Sequence, residues 1–145
     1  MAITTNAICN TFKKELLEAT HNFSNPGGNS FKLAMYTNSA TLGKSTTSFT
    51  TGNEVTSPAG YTSGGKALVN TGTSVASDTA ITDFSDLSFT GVTLTARGAL
   101  IYNDTATGDP AVAVLDFGGD KTATAGTFTI QFPAFTTSAA ILRLT

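Results

Sequence analysis

Charge is scarce in this sequence. Lys, Arg, Asp and Glu together make up 12% of its 145 residues, about half of their usual share in a soluble domain. The eight basic residues are scattered along the chain, whereas binding to nucleic-acid phosphates needs clustered Lys and Arg. We therefore predict no nucleic-acid partner. Seven aspartates fall between residues 78 and 120 against the single base Arg97, which favours a basic surface on any charged partner.

Residues that carry covalent or metal chemistry are almost absent. The single cysteine, Cys9, excludes an internal disulfide, and the single histidine, His21, excludes a zinc site built from several histidines. A nucleophilic triad would need His21 beside a serine or Cys9, and the sequence contains no G-x-S-x-G elbow. We predict that the protein is not an enzyme and that it binds no cofactor and no metal other than calcium, which the sequence leaves open. His21 is expected to be buried or to interact with a helix C-terminus.

Long apolar runs are also missing. No segment approaches the roughly 18 apolar residues of a membrane-spanning helix. The N-terminal segment lacks the basic start and the continuous apolar run of a signal peptide. We predict no membrane partner and synthesis in the cytoplasm.

What the sequence does contain is threonine and serine in excess, together with alternating apolar residues. Threonine is β-branched and suits half-exposed strands. The segments read as strands are residues 31–37, 86–103, 111–119 and 126–135, and the closing segment 139–145. The strand at 86–103 is expected to bend near Gly91 or Gly98. The predicted fold is mainly β, an antiparallel, jelly-roll-like β-sandwich of six to eight strands.

One segment near the N-terminus has helical periodicity. Apolar residues recur at helical spacing between residues 7 and 20. These residues are Ile8, Phe12, Leu16 and Ala19. Thr5 or Asn6 is the expected N-cap, and the Pro and Gly residues at 26–28 end the segment. We predict a single domain over 1–145, with the N-terminal helix and linker at 1–25 and the sandwich at 30–145.

The glycine-rich stretch 52–68, GNEVTSPAGYTSGGKAL, has the composition of a ligand-binding loop. A phosphate loop would need G-x-x-x-x-G-K-[ST] or G-x-G-x-x-G before a helix, and here Lys66 is followed by Ala67 with no helical pattern after it. We predict that the glycines provide positive φ in a crossover between strands. Tyr61 is expected to fold back on the sandwich.

Aspartates cluster in two further loops. Asp78, Asp83 and Asp86 are close in sequence, as are Asp104 and Asp109. The calcium-loop spacing D-x-[DN]-x-[DN]-G is absent, and aspartate is an ordinary turn residue, although calcium binding is left open at these loops. The sequence DFGGD at 116–120 is predicted to be a turn joining two strands.

The order of these segments carries a resemblance to known proteins. NTFKKELLEATHNF, FKLAMYT, the glycine-rich crossover, ARGALIYN and AVAVLDFGGDKTATAGTFTIQFPA together resemble a group of small virion proteins encoded by tailed phages. More loosely, the chain resembles capsid decoration or cement proteins of phages that infect cyanobacteria and other aquatic bacteria. Such proteins are usually β-sandwiches, often trimeric, seated on the outer shell. The resemblance covers nearly the whole chain and transfers no functional residue.

The resemblance implies a structural protein on the virion capsid surface, synthesised in the host cytoplasm. Its partner would be the major capsid protein, and the chain would form a homotrimer that bridges capsomers. Alternatives are a tail, neck or fibre component that binds other virion proteins or a host glycan, and a stand-alone carbohydrate-binding module. The residues expected at partner contacts are Phe12, Leu16 and Leu17 of the helix, Tyr61, and Asp104 and Asp109.

Overall fold

Two antiparallel β-sheets and one short helix make up the protein in its computed structural model, which describes residues 3–56 and 60–145. The elements are β1 (Ala7–Ile8), α1 (Asn10–Leu17), β2 (Phe31–Tyr36), β3 (Lys66–Ala67), β4 (Asn70–Ala76), β5 (Thr79–Phe84), β6 (Leu87–Asn103), β7 (Ala111–Ile130) and β8 (Leu142–Leu144). The five-stranded sheet has the order β1-β7-β6-β2-β3, and the three-stranded sheet the order β4-β5-β8. A mainly β, sandwich-like fold with an N-terminal helix is confirmed. These pairings do not show a jelly-roll topology.

The long antiparallel pair of β6 and β7 is the backbone of the larger sheet. In β6, Val92 and Leu94 are buried while Thr93 and Thr95 are exposed, as the alternation predicts for a strand with one face on the core. The register shifts between Phe89 and Val92 and again between Ala96 and Gly98. Register shifts therefore lie beside both glycines at which the sequence predicts a bend, and the bend itself stays a prediction.

The prediction that residues 116–120 form a turn between two strands is wrong. β7 runs through this segment, and its hairpin connection to β6 lies earlier, at residues 104–110. Between the pairs Ala96↔Lys121 and Gly98↔Asp116, β6 advances by two residues and β7 by five. The extra residues form a bulge, in which Gly118 takes a φ of 79° and its N–H donates to the Asp116 carboxylate. Glycine and aspartate suit such a bulge as well as they suit a turn.

The helix begins later than the sequence predicts. Residues 7 and 8 form β1, where Ala7 pairs with Val114 and Ile8 with Ala113. Cys9 occupies the N-cap position without a side-chain cap, so neither Thr5 nor Asn6 caps the helix. The Asn6 side chain instead accepts a hydrogen bond from the N–H of Asp116. A two-residue edge strand is too short to interrupt helical spacing in the sequence.

The core lies between the central strands of the larger sheet and the elements that cover them. The fully buried side chains include Leu33, Met35, Leu100, Val112 and Val114. An aromatic group extends this core toward the helix and the smaller sheet; its members are Phe12, His21, Phe23, Phe31 and Phe84. In the part of the chain that the structure describes, no helix is long and apolar enough to cross a membrane.

Candidate partner-binding surface

Tyr61 folds back onto the sandwich, as predicted. Its side chain is 3% exposed, and its ring lies 5.5 Å from that of Phe89. Its Oη accepts a hydrogen bond from the N–H of Met35 at 2.9 Å and donates one to Glu54 Oε1 at 2.7 Å. Burial raises the pKa of this phenol above its ordinary value, with the hydrogen bond to Glu54 adding to the effect. The contacts of Tyr61 are therefore internal in this structure.

Glu54 holds the glycine-rich crossover in place. Its carboxylate is buried and accepts hydrogen bonds from Tyr61, from the Ser63 hydroxyl at 2.8 Å and from the N–H of Gly64 at 2.7 Å. The next residue, Gly65, has a φ of 79°, and a Cβ there would lie 1.8 Å from the carbonyl oxygen of Leu33. The described part of the loop therefore serves the architecture, as predicted. Residues 57–59 of this stretch lie outside the described residues.

The loop at 104–109 lies at the other end of β2 from Tyr61. Phe31 starts β2 opposite Asn103, which directly precedes the loop, whereas Tyr61 contacts Met35 near the end of the strand. Four residues of strand separate these points by about 13 Å. Asp104 is exposed and forms a salt bridge of 3.2 Å with Lys32. Asp109, half-buried, takes a left-handed φ of 49°.

The three predicted helix residues differ sharply in exposure. Phe12 is 2% exposed and packs 4.8 Å from the ring of His21, so it belongs to the core. Leu16 is half-buried against the core, and Leu17 is 91% exposed. Contact with a partner stays a prediction for all of these positions. Of the three, Leu17 offers the largest free surface.

His21 is buried, in accordance with one of the two roles predicted for it. The Asn103 side-chain oxygen accepts from the N–H groups of Thr105 and Ala106, so its Nδ2 faces His21 Nδ1 at 3.0 Å. Because Asn103 donates, Nδ1 accepts, and Nε2 carries the proton that is donated to Glu15 Oε1 at 3.1 Å. The imidazole thus connects the helix to the end of β6.

The candidate metal and nucleophile residues are dispersed. Among residues 3–56 and 60–145, no group of three or more His, Cys, Asp or Glu is arranged to hold a metal ion. Burial, reinforced by the charge of Glu15, raises the pKa of the Cys9 thiol to about 11, so the thiol is protonated at neutral pH. Asp83 is 1% exposed, and its Oδ2 has no hydrogen-bond partner among the described residues. Burial raises the pKa of this carboxyl.

A groove between the helix and the smaller sheet was missed by the sequence predictions. It has a volume of about 710 Å³, within the range of ligand sites in proteins. Phe12, Lys13 and Leu16 line its helical side, and Ala80, Leu142 and Leu144 line its sheet side. We call this feature the α1–β8 groove. Its helical side and its sheet side are more than 60 residues apart in the sequence, so no local sequence pattern could predict the groove.

The floor of the α1–β8 groove extends into an exposed apolar row. Val75 pairs with Ala80 and Ala80 pairs with Leu144, so these three residues lie side by side on one face of the smaller sheet. Val75 is 68% and Leu144 is 62% exposed. Leu17 follows Lys13 by one helical turn and adds exposed apolar surface beside the helical wall. Large exposed apolar patches are typical of interaction sites, so this row is the candidate surface.

A second cleft lies between β1, β7 and the C-terminal segment. Its volume is about 980 Å³, and its walls include the aromatic residues Phe117, Phe128 and Phe132. Asp116, Lys121 and Arg143 also line it. The Asp116 carboxylate, with a lowered pKa, accepts from the Gly118 N–H and pairs with Arg97. This cleft therefore presents both charge signs.

All three tyrosines of the chain are buried: Tyr36, Tyr61 and Tyr102. The sequence has no tryptophan. A carbohydrate-binding module usually presents such rings as an exposed platform, so their burial weighs against that alternative. Comparisons with protein-family models, with curated proteins and with solved structures found no match for this chain.

Proposed function

We propose that the chain is a capsid decoration protein of a tailed phage, which binds the outer surface of the head and bridges neighbouring capsomers. Its partner is the major capsid protein, and it acts as a homotrimer. The choice of a virion rests on the sequence resemblance. The choice of a binding role over a catalytic one rests on a single observation, the exposed apolar surface around the α1–β8 groove.

The form of the molecule supports this role. A two-sheet domain with a threonine-rich, weakly charged exterior would add buried area at a junction between capsomers without a catalytic step. An interface of about 800 Å² per partner is of standard size for a specific complex. Three such contacts from one trimer act together because each raises the effective concentration of the next.

The direct test mixes the purified protein with expanded capsids that lack it. We expect co-sedimentation with the capsids, saturation at a fixed number of copies per capsid, and a higher temperature of heat-induced rupture. Multi-angle light scattering of the free protein is expected to give three times the mass of the 14.8 kDa chain. Capsids that neither bind the protein nor gain thermal resistance would contradict the proposal. Binding confined to tails would replace it with the tail, neck or fibre role.

A further inference from the structure

We propose that the α1–β8 groove binds a segment of the partner protein that carries apolar side chains and at least one carboxylate. This inference rests on the proposed function where it identifies that partner as the capsid protein. The assignment of the groove itself stands on its charge, its apolar floor and its position beside a strand edge.

The charge of the groove has one sign. Lys13 and Arg143 line it, and its lining residues include no aspartate or glutamate. Arg143 alternates with Leu142 and Leu144 along β8 and lines the second cleft as well. Lys13 forms no ion pair among the described residues, and Arg143 donates to the carbonyl oxygen of Ser138 but meets no carboxylate. Two cations that form no ion pair among the described residues, beside an apolar floor, complement an acidic segment with apolar side chains.

The extent of the apolar surface favours a polypeptide over a small amphiphile. Val75 and Leu17 lie outside the groove lining, yet both are well exposed. A partner that covers these side chains as well as the groove must be larger than the groove. In addition, β8 pairs with β5 alone among the described strands. Residues of β8 line the groove, and the free edge of this strand offers backbone groups that an extended peptide can use.

A second copy of this chain is a poor occupant of the groove. In a symmetric dimer the same surface patch faces itself. Such a contact would bring two copies of a lining whose charged residues, Lys13 and Arg143, are both cations against each other. Like charges at close range are unfavourable, so the cations favour an acidic partner instead. Trimer contacts are expected elsewhere on the molecule.

Charge reversal tests the groove against the rest of the surface. The groove variant carries Lys13→Glu and Arg143→Glu. Its matched control carries Lys44→Glu and Lys121→Glu, which are also exposed and outside the groove, and which change the net charge equally. We expect the groove variant to bind capsids at least about tenfold more weakly than the wild type, and the control to stay within about threefold. Equal weakening by both variants would overturn the groove assignment.

A second pair of variants tests the apolar floor. Leu144→Ser removes a groove side chain that is 62% exposed, and Val69→Ser removes one that is 61% exposed and lies outside the groove. We expect only the first to reduce capsid binding, with unchanged circular dichroism for both. Equal affinity of the two variants would contradict the inference.

A peptide titration separates this inference from the proposed function. The probes are two soluble peptides of equal length, one alternating valine with aspartate and the other alternating valine with lysine. The acidic peptide is expected to shift the NMR amide signals of Lys13, Leu16 and Leu144, and the basic peptide to leave them in place. If the wild type fails to bind capsids but this pattern holds, the proposed function is wrong and the groove assignment stands. Equal or absent shifts with both peptides would sink the groove assignment.

Discussion

Of the glycines in the chain, Gly65 has the least space for a side chain. Its φ of 79° belongs to the left-handed region, and an added Cβ would overlap the backbone of Leu33. A larger side chain at position 65 would fit only if β2 moved away. The pairing of β2 with β3 and β6 at this point opposes such a movement. The crossover can therefore pass close to the central sheet only with glycine at this position.

Replacement of Gly65 by alanine should be far more costly than the same change at Gly118. The two glycines share a φ of 79°, but a Cβ on Gly118 would meet nothing within 4 Å. We expect Gly118→Ala to lower the free energy of unfolding by about 1–2 kcal/mol, the cost of the left-handed conformation alone. Gly65→Ala should cost at least about 3 kcal/mol, because it adds a steric clash. Urea unfolding measures both, and equal losses would contradict the close approach.

Asp83 is a residue whose burial has a consequence for pH dependence. Burial raises its pKa in the folded state above the ordinary value of 3.8. The folded protein therefore holds this proton more tightly than the unfolded chain, and the stability contributed by the protonated form is lost as the pH rises through the raised pKa. The loss of stability therefore begins near pH 3.8, the ordinary pKa, and is complete above the higher pKa of the folded state.

The variant Asp83→Asn removes that titration. Its amide oxygen keeps an acceptor for the N–H of Phe84, which Asp83 Oδ1 now accepts at 2.8 Å. We expect the melting temperature of the variant, relative to the wild type, to rise as the pH increases from 4 to 7. Calorimetric melting at several pH values checks this. A difference that is constant with pH would show that the Asp83 carboxyl is not the source.

At the scale of elements, α1 combines a core role with an exposed surface. Ile3, Cys9 and Phe12 are all buried, so removal of the first twenty residues would take away part of the core. A deletion would therefore test folding and binding together. Single substitutions on the two sides of the helix separate them.

Substitutions at Phe12 and Leu17 separate the role of the helix in folding from its role in binding. Phe12→Ala should lower the free energy of unfolding by about 3–5 kcal/mol, because it empties a buried site. Leu17→Ala should change it by less than about 0.5 kcal/mol, since the side chain is 91% exposed. Denaturant titration gives both values. A large loss at Leu17 would mean that the helix packs differently from the structure described here.

Elements with a long, regular pattern were predictable from the sequence. β2 and β6 follow from alternating apolar residues, and β8 from the apolar run at the C-terminus. The helix was found, but its start was not, because Ile8 fits both a helical stripe and the edge strand β1. The segment at 116–120 was misread because its Gly and Asp residues serve a bulge as well as a turn.

The candidate surface was predictable only in part. Leu16 and Leu17 were selected because a pair of adjacent leucines widens the apolar stripe of a short helix. Leu144 and Val75 carried no such signal, because each lies in an ordinary strand pattern. Their exposure depends on which face of the smaller sheet is left uncovered, and that is decided by tertiary packing.

For the whole molecule, the proposed role depends on rigidity and on one uncovered surface. The Glu54 and His21 networks tie the crossover, the helix and the end of β6 to the sandwich through buried hydrogen bonds. Such satisfied networks fix one arrangement of their members. A domain held in this way can bridge two capsid subunits without loss of binding energy to its own reordering.

A density map of virions, or of capsids decorated with the protein, tests the central claim most directly. The account predicts this domain on the outer face of the head, at junctions between capsomers, in groups of three, with the α1–β8 groove turned toward capsid protein. Density for the domain only on the tail, neck or fibres, or only inside the head, would contradict it.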